Sequence, residues 1–361
     1  MTIVNQKLLP VMRPRLPKPS SFSSRIEDIW GSGVFSNFGP QVEELESRLA
    51  TRFKVDPEKV VVLSSATVAM AGLVMISEKS SWRVPSWTFV ATPLSILQGG
   101  KSLQFADVSL NDHMLSVSES SGLGTIVTLP FGTGIPNEIL NQPSAPDIID
   151  AAASLASVTD LRNLTERSSV VFSLHATKYL GAGEGGVAVV GNSQTARLLR
   201  SWANFGFSAG RLSTLIGTNA KMSEVQAAIA HACLDQEQDE RNEWEELRRH
   251  SIAVAEALSI DVPYLSSNSI APYWIVAFKS LKERNMVEAH LQKAGIESRR
   301  WWGSGCHSMP SLKSLRREGE LANTEWLAST TLGLPYFRGM TQRDFSNVGE
   351  QVKAGLARAK D

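Results

Sequence analysis

The sequence predicts an α/β protein: a large domain built on a mostly parallel sheet covered by helices, then a smaller C-terminal α/β domain. Two observations carry this. Short apolar runs that read as buried strands alternate with helical patterns over roughly the first two hundred residues. Beyond Gly217 that alternation gives way to one long, charge-dense helical pattern, followed by a second, shorter strand–helix set. A helix that long often bridges two domains, so the boundary is expected within it, with residues 1–240 as the large domain and 241–361 as the small one.

The elements follow in order. Pro10, Pro14, Pro17 and Pro19 bias the first residues toward an extended arm. A helix is expected from Phe22 to Trp30, stopped by Gly31-Ser32-Gly33. Pro40 opens the next helix at its first position, with Val42, Leu45, Leu49 and Phe53 on one face. Val60 to Leu63 reads as a strand, Ser64-Ser65-Ala66-Thr67 as a turn, and Val68 to Met75 as an apolar helix. Arg83-Val84 leads into Pro85-Ser86-Trp87-Thr88-Phe89 and a helix to Leu97. Strands are expected at Leu103–Val108, Thr125–Leu129, Asp147–Ile149, Val170–Leu174 and Val187–Val190. Ser223 and Gln226 form a capping-box signature for the long helix, which runs to about Leu258. Strand Trp274–Phe278, helix Leu281–Ala294 with Gly295 as its stop, strand Ile296–Arg300 and helix Gln342–Ala357 complete the chain.

Composition removes several classes of function. The 361 residues are 42% hydrophobic and 20% charged, normal for a globular protein with a large core. Lys+Arg and Asp+Glu are equal at 36 each, so nothing global points to nucleic acid or an anionic membrane surface. Two cysteines make no disulfide framework and suggest a reducing compartment. No apolar stretch is long enough to span a bilayer, and the N-terminus lacks a signal peptide's apolar core, so a cytoplasmic protein is expected. Cys306-His307 is too sparse for a metal site.

The chemistry centres on Val170 to Gly186, VVFSLHATKYLGAGEGG. Gly181, Gly183 and Gly186 match a dinucleotide fingerprint, but that fingerprint must open a helix, and these glycines lead into another strand. Lys178 stands in the bend between two buried strands. A lysine after a strand is ordinarily a solvated loop residue; one near a buried site must be paired or lose its proton, and then can form a Schiff base with an aldehyde. Three more features sit at strand ends. The turn from Ser64 to Thr67 opens a helix whose free amides suit a phosphate, although Ser and Thr are also ordinary caps. Trp87 can stack on a flat ligand or simply fill a core. Asp150 ends an apolar strand, where its charge needs a partner such as a protonated ring nitrogen. A phosphate cradle, an aromatic plate, a buried carboxylate and a lysine together are what pyridoxal phosphate requires.

In these motifs the chain resembles the DegT/DnrJ/EryC1/StrS family of pyridoxal-phosphate-dependent sugar aminotransferases, of aspartate-aminotransferase fold type I. The resemblance runs from about Pro14 to the C-terminus, through Ser64–Thr67, Pro85–Thr92, Phe105–Val108, Asp150–Ala152, Phe172–Lys178, Glu184–Gly186 and Asn219–Glu224. It implies that Lys178 carries the Schiff base, Asp150 pairs with the ring nitrogen and Trp87 stacks on the ring. It implies that Ala66 through its N–H, Thr67, Ser65 and Ser173 hold the phosphate, and that Gly132 turns the chain near the site. Asn219 would reach the cofactor of the neighbouring subunit, so a homodimer is implied. The reaction implied moves an amino group from an amino acid, by family habit L-glutamate, to a keto sugar on a nucleoside diphosphate, in deoxyamino sugar biosynthesis. A cyclitol or other small ketone as acceptor, and an inactive pyridoxal-phosphate-binding regulator, are the alternatives. Three departures stand out: Ala66 replaces the family's usual Gly, Ala153 its Gln or His, and Lys221 its Arg. On the acceptor side, Arg299, Arg300, Trp301 and His307 form the candidate cluster, since arginines can grip a diphosphate and Trp can stack on a base or sugar. Arg241 reads better as part of a solvated helix face.

Overall fold

The computed structural model describes residues 8–116, 122–140, 144–208, 211–265 and 269–360. Its strands are β1 (Val60–Leu63), β2 (Ser81–Pro85), β3 (Ser102–Ala106), β4 (Gly124–Thr128), β5 (Ile148–Asp150), β6 (Ser169–Ser173), β7 (Gly186–Val190), β8 (Trp274–Ala277), β9 (Arg316–Arg317) and β10 (Thr331–Leu334). Eight of them form one sheet in the order β1-β7-β6-β5-β4-β2-β3-β9, and β8 pairs with β10 in a second. Every pairing from β6 across to β9 is parallel, whereas β7 runs antiparallel to both β1 and β6. The mostly parallel sheet expected from the sequence is therefore borne out, with one reversed strand inside it.

The sheet is covered on both faces, which is why its strands read as continuous apolar runs. Alternate residues divide between two cores, as a two-residue period requires. Val60, Val62, Ile149, Val170, Phe172 and Val187 pack with helix α2 (Pro40–Phe53) on one face. Val61, Leu63, Ile148, Val171 and Ala188 pack on the other with α3 (Ala66–Ile76) and with a helix from Ser193 to Ala203. Val42, Leu45, Leu49 and Phe53 are all buried, as the helical spacing predicts.

Two expectations are corrected. The long helix from Ser223 is two helices, Glu224–Asp235 and Glu237–Leu258, hinged at Gln236. No Gly or Pro marks the break; the new start shows only in the acidic first turn Glu237, Asp239 and Glu240, which favours a helix N-terminus. The expected strand Ile296–Arg300 makes only isolated bridges, Ile296 to Leu9 and Arg299 to Gly333, because its two ends meet different neighbours. The partner of β8 is instead β10, a strand the sequence reading did not assign.

The start of α2 depends on one buried carboxylate. Glu224 accepts hydrogen bonds from the amides of Gly39 (3.1 Å) and Gln41 (2.7 Å) and is fully buried. It satisfies orphan donors and places a negative charge at the helix's positive end. Glu224→Ala is expected to cost about 2–4 kcal/mol in chemical denaturation, because two buried amides lose a charged acceptor. A loss within about 0.5 kcal/mol, the range of an unremarkable surface change, would contradict this role.

Candidate active site

The carboxyl ends of the parallel strands open into a cleft of about 700 Å³. Open α/β sheets present ligand sites at that edge. The cleft collects the turn after β1, the ends of β4 (Thr128), β5 (Asp150) and β6 (Ser173), and Lys178. Because β7 runs backwards, its first residue rather than its last lies here, with Gly186 paired to both Leu63 and Ser173.

Gly186 shapes the cradle. A Cβ on it would lie 2.3 Å from the carbonyl carbon of Ser65 and 2.4 Å from the amide of Ala66, so only glycine lets β7 meet the start of α3. Ser65 caps that helix, its hydroxyl accepting from the Val68 amide at 3.2 Å. The amides of Ala66 and Thr67 belong to the first turn, which has no intrahelical acceptor, and both residues line the cleft. The Ala66 methyl packs into the apolar cluster beneath the sheet.

The loop that carries Lys178 is a folded-back hairpin. Leu174 and Ala176 donate to the carbonyls of Gly185 and Gly183, and Ala182 donates back to Leu174. Gly183 (φ 97°) and Gly185 (φ 149°) adopt backbone that favours glycine. The glycine-rich stretch is therefore a turn closing on the lysine loop. The Lys178 ammonium donates to the Tyr273 hydroxyl at 2.7 Å, with His175 and Glu184 on the same wall.

Asp150 is buried at the end of β5. It accepts from the Thr92 hydroxyl (2.6 Å) and from the Ala152 amide (3.1 Å). Burial raises its pKa above the ordinary carboxylate range; the Thr92 and Ala152 bonds oppose that, and Lys178 adds a weaker opposing field. No salt bridge to Asp150 occurs among the described residues.

Several predicted residues lie elsewhere. Trp87 does not line the cleft: it is 2% exposed, its ring nitrogen donates to Tyr264, and its edge packs on Trp302. Phe89, 56% exposed, lines the cleft instead. A straight strand would put both aromatics on one face; the tight turn in which the Thr88 amide donates to the Ser86 carbonyl sends them to different sides. Arg300 faces away and is held by Glu288 and Asn285. His307 is buried outside the cleft, bonded to Ser86 (2.6 Å), with its pKa lowered mainly by burial. Asn219 is exposed and lies outside the cleft of its own chain. Arg299 and Trp301 do line it, the guanidinium 4.7 Å from the Trp301 ring centroid. The sequence reading gave no role to Phe89, Tyr273 or Thr128. Trp302, which stands in the flagged run Glu297–Trp302, lines the cleft as well, whereas Tyr273 is 95 positions from Lys178 and gave no local signal.

The parts suit pyridoxal phosphate: a glycine-cleared cradle at a helix start, a buried carboxylate lacking a paired cation, and a lysine on one cleft. Such a constellation on a doubly covered, mostly parallel sheet defines a pyridoxal-phosphate-dependent transferase. The profile of the DegT/DnrJ/EryC1/StrS aminotransferase family matches residues 19–122 and 137–353, and the chain belongs to that family. It is a pyridoxal-phosphate-dependent aminotransferase. Protein Rv3402c of Mycobacterium tuberculosis is 26% identical over 98% of this chain and 91% of its own length. The dTDP-4-amino-4,6-dideoxy-D-glucose transaminase of Shigella dysenteriae is 27% identical over 62% of this chain and 64% of its own. The crystal structure of DesI in the presence of its TDP-sugar product matches with a TM-score of 0.84 and 26% identity, covering 100% of this chain and 97% of that one.

The raised pKa of Asp150 has a measurable consequence. Without cofactor, the folded protein holds the Asp150 proton more tightly than the unfolded chain does. Stability present below the ordinary carboxylate pKa, about 4, is then lost as pH rises through the folded value. Thermal melts of cofactor-free protein should fall more steeply with rising pH in the wild type than in Asp150→Asn. Equal slopes would contradict the assignment.

Proposed function

We propose that this aminotransferase takes the amino group of an amino acid, L-glutamate, and delivers it to a keto sugar carried on a nucleoside diphosphate. The carrying observation is that Lys178, the unpaired Asp150 and the start of α3 share one cleft at the carboxyl edge of the sheet. When bound, pyridoxal phosphate supplies an aldehyde for amines and a ring that withdraws electrons from the bond beside the nitrogen. The chain's own groups take the following parts. The amides of Ala66 and Thr67, with the hydroxyls of Ser65, Thr67 and Ser173, would hold the phosphate. The Asp150 carboxylate would accept a hydrogen bond from the protonated ring nitrogen. Phe89, rather than Trp87, would cover a ring face. Lys178 would hold the aldehyde and is placed to accept and return a proton at Nζ, with the Tyr273 hydroxyl as the acceptor that steadies it.

The acceptor side rests on Arg299 and Trp301. Arg299 has no carboxylate partner among the described residues, unlike Arg300. A guanidinium so placed is free to take a diphosphate, and the aromatic wall of Trp301, Trp302 and Tyr273 suits a sugar's apolar face. A transaminase named for a dTDP-linked amino sugar and a relative crystallised with a TDP-sugar product support this class of acceptor. Asn219, exposed and off its own cleft, fits the part of reaching a second copy's phosphate in a homodimer. No described helix is long and apolar enough to cross a membrane, and with two buried free cysteines we place the activity in the cytoplasm.

Two measurements test this reading. L-Glutamate should bleach the visible absorption band of the cofactor-loaded enzyme and yield one equivalent of 2-oxoglutarate. Arg299→Ala should keep that half-reaction but raise the KM for a nucleotide-linked keto sugar by about tenfold or more, the loss of one charge-assisted contact. A band indifferent to every amino acid would contradict the donor half. Equal acceptor KM values in Arg299→Ala and wild type would contradict the diphosphate assignment.

A further inference from the structure

Three threonine hydroxyls lie in a chain behind Asp150. Thr92 donates to Asp150 Oδ2 at 2.6 Å. Thr88 stands 2.7 Å from Thr92, and Thr128 stands 2.8 Å from Thr88. All three are buried. They come from two elements. Thr88 and Thr92 lie four residues apart across the turn between β2 and the helix Ala91–Gln98, flanking Phe89. Thr128 ends β4, directly beside Asp150 in the parallel register.

When Asp150 is ionised, proton counting fixes the direction. A hydroxyl has one proton and two lone pairs, and an ionised carboxylate only accepts. Thr92 gives its proton to Asp150, so it must accept from Thr88. Thr88 has then spent its proton and must accept from Thr128. Thr128 lines the cleft, and its hydroxyl, its proton engaged by Thr88, can there only accept. Each bond polarises the next, so the last donor is stronger than an isolated hydroxyl.

We propose that Thr128, Thr88 and Thr92 form a one-way hydroxyl relay that keeps the Asp150 carboxylate ionised despite its burial, and so act as positioning residues for the cofactor site. The need is local. Asp150 takes one backbone amide besides Thr92, and Lys178, on the loop after β6, is the charged group that acts on it. Burial favours the neutral acid, which could not attract a protonated ring nitrogen. The relay supplies the opposing preference before any ligand arrives. Its value to catalysis rests on the proposed role of Asp150; its effect on Asp150 does not.

The test reads Asp150 directly in cofactor-free protein. The infrared band of a protonated carboxylic acid, taken as the difference between each protein and the same protein carrying Asp150→Asn, is followed against pH. Thr92→Val is expected to raise the midpoint by about one to two pH units, the worth of one hydrogen bond to a charged group. Thr88→Val should raise it by less, and Thr92→Ser should restore the wild-type value. Thr88→Val carries the same test if Thr92→Val does not fold. Wild-type midpoints in the valine variants would overturn the relay, as would failure of Thr92→Ser to restore the midpoint. With cofactor bound, Thr92→Val should speed cofactor loss about tenfold, but not in an Asp150→Asn background. A raised midpoint with unchanged cofactor retention would uphold the relay and overturn the cofactor role of Asp150.

Discussion

Burying the Asp150 carboxylate at the end of β5 costs free energy that hydrogen bonds or a cationic partner must offset. Much of the cleft follows from that constraint. The parallel register sets Thr128 beside Asp150, and the turn after β2 brings Thr88 and Thr92 behind it. The same turn leaves Phe89 on the cleft side, so one short segment both supports the carboxylate and offers an aromatic surface. Lys178 acts on Asp150 more weakly than burial and the two hydrogen bonds do. The carboxylate therefore stays available for a cation from outside the chain, as the proposed function requires.

The sheet's reversed strand is the second structural condition. Because β7 is antiparallel, its first residue, Gly186, faces the first turn of α3, and its missing Cβ lets the two backbones meet. The hairpin of Gly181 to Gly186 returns the chain directly after Lys178, fixing the lysine loop by backbone hydrogen bonds. Across the cleft, Phe131 sits at φ 53°, unusual for a bulky residue. It stacks on Trp302 with ring centroids 4.0 Å apart. That stack joins the segment after β4 to the one bearing Arg299 and Trp301, tying this wall of the cleft to the sheet.

Much of this was legible in the sequence because burial leaves strong local marks. Runs such as Val60–Leu63 and Val187–Val190 read as interior strands, and the offsets of Val42, Leu45, Leu49 and Phe53 as one buried helix face; all of these residues are buried as read. Strand direction leaves no such mark, so the reversal of β7 was not readable. The break at Gln236 was hidden because helical periodicity continues through it without Gly or Pro. At the cleft, residue type was readable but side-chain direction was not. Trp87 and Phe89 are both aromatic, and Arg299 and Arg300 are both arginine; a tight turn and a salt bridge to Glu288 decide which member of each pair faces the cleft. Tyr273 depends on tertiary contact alone.

The central claim is that one lysine, Lys178, is the covalent anchor of this cleft. Borohydride reduction of the cofactor-loaded protein, followed by peptide mapping, tests it most directly. The account predicts a pyridoxyl group on the peptide containing Lys178 and on no other lysine peptide, with no label in Lys178→Ala. A label on another lysine, such as Lys221, or full labelling of the alanine variant, would contradict it.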